Sequence, residues 1–214
     1  MAPRTEKSKE TSERVLDAAI RLFNRSGTAA VTTNHVAAEL GMSPGNLYYH
    51  YRNKEDLVRA AFDRMNDEAD DLWKAPFGPV GIDVARLLEG NLRLFRSYAF
   101  FARELPSLLH ADATLRRRYA KIVERRRGEV ERALAWLCEM QMMKDPGEEA
   151  RARLVDACWV FSLFWLGYAQ LTSEENIADQ TKRGAKVVLE ILKPHMVPGI
   201  HALLFGVISA WKPA

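Results

Sequence analysis

The 214-residue chain predicts an all-α protein, an N-terminal three-helix helix-turn-helix module followed by a larger helical bundle. Three observations predict it. Apolar residues recur at three- and four-residue spacing along most of the chain, the period of a helix with one buried face. Residues 31–54, VTTNHVAAELGMSPGNLYYHYRNK, place helix start and stop signals on either side of a glycine. Residues 154–171, LVDACWVFSLFWLGYAQL, are apolar on nearly every side, a pattern that requires cover all round.

Residues 1–10, MAPRTEKSKE, are polar and without period, which predicts a disordered tail. The first helix then runs from about residue 11 to 26, with Val15, Ala19, Leu22 and Phe23 on one face and Gly27 closing it. In the next helix Thr32 or Thr33 supplies the cap, because a threonine oxygen accepts an orphan backbone N–H. Val36, Ala37 and Leu40 form its apolar face, and Gly41 stops it in the left-handed conformation. Ser43 caps a third helix whose first position is Pro44, where a missing N–H is no loss. Leu47 and Tyr51 lie one turn apart and pack down, leaving Asn46, Tyr48, Tyr49 and His50 to point elsewhere. Two short helices around a glycine turn describe a helix-turn-helix, whose second helix enters the major groove of DNA.

The chemistry of that second helix favours DNA over a mere helical pair. Its first turn, Ser43-Pro44-Gly45-Asn46, is small and polar, so its backbone approaches a base edge or phosphate closely. Its last turn crowds Tyr48, Tyr49 and His50, with Arg52 and Lys54 just beyond. A solvated helix needs no three rings in a row, and a core helix would not choose rings with polar tips. Phosphate contacts from Tyr and Lys, with ring contact to a thymine methyl, use this set fully. The net charge is only +3, so bulk charge announces no nucleic acid. The asymmetry is local, since Glu39 alone opposes Arg52, Lys54, His35 and His50 between Val31 and Lys54.

The pattern T-T-x-x-V-A-x-x-x-G-M-S-x-G-N-L-Y-Y-H-Y-x-x-K-x-x-L resembles the N-terminal signature of the TetR/AcrR transcriptional regulators. The preceding VLDAAIRLFNRSG, residues 15–27, is similar to the family's first helix. The resemblance covers about the first quarter of the chain. It implies phosphate or base contacts from Thr33, Asn34, Gly45, Asn46, Tyr48, Tyr49, His50 and Lys54. Ser43 and Pro44 join them at the close-approach turn, Pro44 standing where relatives often carry a polar residue.

A fourth helix starts near Asn53 and runs to about Trp73, with Leu57, Ala61, Met65 and Leu72 among its apolar residues. It links the lysine facing DNA to the rest of the chain. Ala75-Pro76-Phe77-Gly78-Pro79-Val80-Gly81 is a loop. Asp83 caps a fifth helix, which Pro106 ends, starting a short piece to about His110. Asp112 caps a long helix with the stripe Leu115, Tyr119, Ile122, Val130, Leu134 and Leu137. Its Arg116-Arg117-Arg118 and Arg125-Arg126-Arg127 runs interleave with Glu124, Glu129 and Glu131, which reads as a solvated, pair-laced face. After the turn at Asp145-Pro146-Gly147 come helices over about 148–171 and 173–192 and, beyond Pro198, a last one over 200–211. Asp156, Ser162 and Gln170 and its limited length argue against a membrane span for the first of these. A second copy of the chain is the natural cover for it, and the resemblance implies that the two penultimate long helices pair across a dimer axis.

No glycine-rich phosphate loop or metal-ligand spacing appears, which predicts no catalytic residue, no metal and no cofactor. Cys138 and Cys158 sit in apolar helical contexts and read as reduced thiols of a cytoplasmic protein. Nothing at the N-terminus reads as a signal peptide. The chain divides into residues 1–56, a helix-turn-helix DNA-binding domain, and 57–214, a helical ligand-binding and dimerisation domain. It reads as a homodimeric transcriptional regulator, a repressor that a small, mostly apolar ligand releases from double-stranded operator DNA. Phe95, Tyr98, Phe101, Trp136, Met140, Phe161, Trp165 and Tyr168 are the residues expected to line the effector site. The alternative is a helical-bundle ligand-binding protein with a vestigial helix-turn-helix, which would have no reason to keep Tyr48, Tyr49, His50 and Lys54 together.

Overall fold

A computed structural model of the chain describes residues 6–73, 77–78, 81–82 and 84–212. Ten helices follow in order: α1 (Glu6–Ser26), α2 (Thr33–Glu39), α3 (Pro44–His50), α4 (Lys54–Trp73), α5 (Val84–Ser97), α6 (Ala99–Ala111), α7 (Ala113–Glu139), α8 (Glu148–Thr172), α9 (Ile177–Leu192) and α10 (Pro198–Ala210). A two-residue antiparallel ladder between α4 and α5, β1 (Phe77–Gly78) with β2 (Gly81–Ile82), pairs Phe77 with Ile82. The all-α class holds around it. The expected cap at Asp83 lies outside the described residues.

The chain forms two compact units. The first comprises the chain up to Asp67 together with Ser97–Arg116, and the second comprises Glu68–Arg96 and Arg117–Ala214. In the first, α1 buries Val15, Leu16, Ala19 and Phe23, α2 and α3 bury Val36 and Leu47, and α4 buries Leu57, Ala61 and Phe62. Phe100 and Phe101 of α6 close this core, with ring centroids 5.3 Å from Phe23 and 5.8 Å from Phe62 respectively. Each such ring removed from water contributes roughly 1.5–3 kcal/mol. Arg64 of α4 binds across the unit, to Asp17 at 2.7 Å and Glu13 at 3.2 Å on α1 and to the Tyr98 hydroxyl at 3.1 Å. Burial alone would lower the Arg64 pKa, but the bonds to Asp17 and Tyr98 outweigh it and raise it.

The second unit is built on Leu88, Leu92, Leu134, Leu137, Val155, Cys158, Leu189, Leu192, Ile208 and Trp211. Helices α8 and α9 approach closely because Gly184 has no side chain, and a Cβ there would meet the Trp165 indole at 2.5 Å. The same indole donates to the Gln180 carbonyl at 2.8 Å. Helix α10 is tied in at its start. Lys144 N–H donates to His195 O at 2.8 Å and Val197 N–H to Met142 O at 3.0 Å, joining the two interhelical connections. Its far end buries Ile208 and Trp211.

Four details differ from the sequence reading. Helix α1 begins at Glu6, so part of the expected tail is helical, with an acid in the first turn where the helix dipole favours it. Pro106 lies inside α6 rather than ending a helix, and the break comes at Tyr98 instead. Helix α9 starts at Ile177, because Asn176 takes the cap and accepts from the Ala178 and Asp179 N–H groups, each at 3.0 Å. Of the second arginine run, Arg125 and Arg126 pair with Asp70 and Arg127 with Asp156. Arg126 also pairs with Glu129 and is buried rather than solvated.

Candidate nucleic-acid interface

The helix-turn-helix is held by local caps. The Thr32 hydroxyl accepts the His35 N–H at 3.3 Å while His35 Nδ1 accepts the Thr32 N–H at 3.3 Å, a capping box closed by a histidine. Gly41, at φ 62°, ends the first helix, and the Gly41 and Met42 N–H groups bond back to Ala38 and Ala37 at 3.1 and 3.0 Å. Ser43 Oγ then accepts the Asn46 N–H at 3.3 Å with Pro44 in the first helical position. Val36 and Leu47 are fully buried beneath this turn. Tyr51 pins the end of α3 to α1, its hydroxyl accepting from Ser12 Oγ at 3.0 Å and donating to Ser12 O at 3.3 Å.

With Leu47 and Tyr51 facing inward, the opposite side of α3 is free. Ser43, Pro44, Gly45 and Asn46 are exposed, Tyr48 is 46% exposed and Tyr49 is 72% exposed. A Cβ built at Gly45 would meet nothing within 4 Å, so the close-approach turn is open to an outside group. The Tyr48 and Thr33 hydroxyls lie 3.2 Å apart and bridge the two helices. Tyr49 and His50 meet edge to face at 5.2 Å. Asn34 is exposed at the start of α2. Lys54 is engaged inside the unit, donating from Nζ to the Thr28 carbonyl at 2.8 Å. The structure thus brings Asn34, Ser43, Pro44, Gly45, Asn46, Tyr48 and Tyr49 to the surface with Thr33 and His50 half-buried beside them, and Lys54 tethered to Thr28. What that surface can do is meet phosphates and base edges with hydroxyls, an amide and ring faces.

The aromatic set expected around an effector is distributed. Tyr98 and Phe101 are core residues of the first unit, the former bonded to Arg64 and the latter against Phe62. Phe95, Trp136, Met140, Phe161, Trp165 and Tyr168 belong to the second. Phe161 stacks on Trp165 at 4.9 Å and Trp165 lies 5.9 Å from Tyr168, so these three run together along α8. Trp136 is half-buried against the second core, and Met140 is 44% exposed. Among the described residues no three His, Cys, Asp or Glu side chains group as a metal would need. Cys138 and Cys158 are free, and burial pushes the Cys158 thiol up to about 11.

Sequence periodicity missed Asn24, Arg103 and Glu104, whose hydrogen bonds join the end of α1 and the turn after it to α6, and no local motif marks them.

An all-helical chain with a capped helix-turn-helix and a polar, ring-bearing second helix defines a DNA-binding regulator. Two family models match most of the chain: bacterial regulatory proteins of the tetR family over residues 15–61, and the TetR bacterial transcriptional repressor over residues 63–203. The chain belongs to the TetR family of transcriptional regulators. It is 29% identical over 196 residues to the class A tetracycline repressor protein from transposon 1721 of Escherichia coli, covering 88% of this chain and 78% of that one. Its match to the HTH-type transcriptional regulator TtgR of Pseudomonas putida, 34% over 70 residues, spans a third of the length of each chain. The crystal structure of a TetR-family transcriptional regulator from Marinobacter aquaeolei VT8 superposes with a TM-score of 0.83 at 28% identity, over 95% of this chain and 99% of that one.

Proposed function

We propose that the chain works as a cytoplasmic homodimeric repressor that reads a near-palindromic operator and leaves it when a small effector binds. The observation that carries the reading is the outward side of α3, where Tyr48 and Tyr49 stand exposed beside an uncovered Gly45. The contact set is Thr33, Asn34, Ser43, Pro44, Gly45, Asn46, Tyr48, Tyr49, His50 and Lys54, and residues 1–56 form the DNA-binding domain. A selection of bound duplexes from a randomised pool tests it, with two-fold related half-sites as the expected outcome.

Exposed apolar side chains support the dimer. Val160, Phe164, Tyr168 and Leu171 on α8 and Leu203 and Val207 on α10 are exposed, Leu171 at 88%. These two helices of the second unit are assigned to the dimer face, α10 taking the place that the resemblance gave to α9. On length and composition alone α8 would also suit a membrane span. The ion pair between Asp156 and Arg127 at 2.6 Å, more than two turns into the helix, favours the aqueous reading.

For the effector, the name of the tetracycline repressor supports a small organic molecule. Half-buried Phe95, Trp136 and Phe161 offer ring faces to it. Tyr98 and Phe101 act instead by packing α6 against α4. The effector must bind the free and operator-bound states differently, so by linkage operator weakens its binding by the same factor. Titration of a bound compound with and without operator checks this, and equal affinities would exclude an inducer.

A further inference from the structure

Helix α6 lies in the same compact unit as the helix-turn-helix, and the two helix ends that meet there cap each other. Tyr98, at the start of α6, makes no side-chain cap bond of its own. Asn24, in the last turn of α1, supplies one. Its Oδ1 accepts the Phe100 N–H at 3.0 Å and its Nδ2 donates to the Ser97 carbonyl at 2.8 Å. In return Arg103 of α6 donates to the carbonyl of Asn24 at 2.8 Å, a group that a helix end leaves open, and to that of Phe23 at 3.4 Å, which also accepts the Gly27 N–H.

The next residue on α6, Glu104, takes hold of the turn that follows α1. Its carboxylate accepts the Thr28 N–H at 3.0 Å and the Thr28 hydroxyl at 2.5 Å. Gly27 enters this turn at φ 76°, and a Cβ there would lie 3.2 Å from Glu104 Oε1. Thr28 is only 6% exposed, and its carbonyl accepts from the Lys54 ammonium at 2.8 Å. Every polar group of Thr28 is therefore bonded, to Glu104 on one side and to Lys54 on the other.

We propose that Glu104 is a positioning residue for operator binding: by holding Thr28 it aims the Lys54 ammonium at a DNA phosphate. Helix α6 is thereby a working part of the DNA-reading unit. An ammonium has three N–H donors. One is spent on the Thr28 carbonyl, which leaves two for a phosphate and fixes the direction in which they point. The inference rests on the reading above that Lys54 meets a phosphate. Its sign is informative. A carboxylate close to DNA repels phosphates, so by charge alone its removal would strengthen binding. Positioning predicts the opposite.

The test measures affinity of the full chain for its selected operator against salt, for the wild type, Glu104→Ala, Glu104→Gln, Lys54→Met and the Glu104→Ala/Lys54→Met double variant. Losing one phosphate contact lowers the slope of log K on log salt by about one. Glu104→Ala is expected to weaken binding about tenfold and to lower the slope by about one, as Lys54→Met does. The double variant is expected to match Lys54→Met in slope and to lose less than the two single losses combined. Glu104→Gln keeps one carbonyl acceptor for Thr28 and should fall between, and it carries the test if the alanine variant does not fold. Tighter binding, or weaker binding at the wild-type slope with strictly additive losses, would overturn the inference and leave Glu104 a structural residue. An operator-binding Lys54→Met variant with an unchanged slope would overturn it as well, with operator recognition intact. A wild-type chain that selects no sequence sinks the proposed function instead.

Discussion

The two units leave different kinds of side chain on their surfaces. In the DNA-reading unit the large exposed hydrophobic residues among those described are Tyr48 and Tyr49, both carrying a hydroxyl. In the second unit they are Met140, Val160, Phe164, Tyr168, Leu171, Leu203 and Val207, and only Tyr168 has a polar tip. A ring with a hydroxyl suits a partner that is part sugar-phosphate and part base edge. Branched aliphatic and phenyl groups suit a partner as apolar as themselves, and a second copy of the same surface is one. Composition at the surface, more than the net charge of +3, thus separates the DNA-reading side from the proposed dimer face.

The sharpest way to break the contrast is to charge the apolar surface. Phe164→Asp with Leu203→Asp is expected to give monomers by light scattering. With only one half-site engaged, operator affinity should fall by about a hundredfold or more. A dimer of unchanged affinity would remove α8 and α10 from the interface. Next in size, Leu47→Ala beneath α3 empties a fully buried site and should cost roughly 2–5 kcal/mol of stability, read by urea denaturation. Tyr49→Ala should do the reverse. At 72% exposure it should leave stability within about 0.5 kcal/mol yet weaken operator binding by about 1–3 kcal/mol.

The smallest effect concerns Asp112, which caps α7 and binds Arg59 of α4 at 2.6 Å. Burial pushes its carboxyl up, but Arg59 and the Leu115 and Thr114 N–H groups outweigh that and hold it below the usual carboxylate value. A carboxyl lowered by folding contributes stability that is present above its unfolded pKa, about 3.9. That contribution is lost as pH falls through the folded value. Asp112→Asn should therefore destabilise the chain at pH 7 and make progressively less difference below about pH 4. An equal difference at both ends would mean that the charge of Asp112 contributes nothing.

The same contrast explains what was legible in the sequence. The helix-turn-helix could be read residue by residue because its determinants are local: Thr32, Gly41, Ser43 and Pro44 each act within four positions of themselves. The helix at Asp112 was legible for the same reason. The break at Tyr98 was not, because its cap comes from Asn24, far away in the chain, while Pro106 offered a misleading local signal. Lys54 showed itself as a cation beside the reading helix, but its bond to Thr28 depends on how α4 docks. The aromatic residues of α5 to α8 were visible as apolar, yet periodicity cannot say which unit each one packs into. Tyr98 and Phe101 went to one and Trp136 to the other.

The outward side of α3, presented twice by the proposed dimer, is expected to read a specific duplex. Repeated selection from a randomised duplex pool at moderate salt, followed by sequencing, tests it most directly. The expected result is one enriched motif of two inverted half-sites about 10–10.5 base pairs apart, or a multiple of that spacing. The Tyr49→Ala variant should lose that enrichment. A pool that stays random with the folded, dimeric wild-type chain would contradict the account.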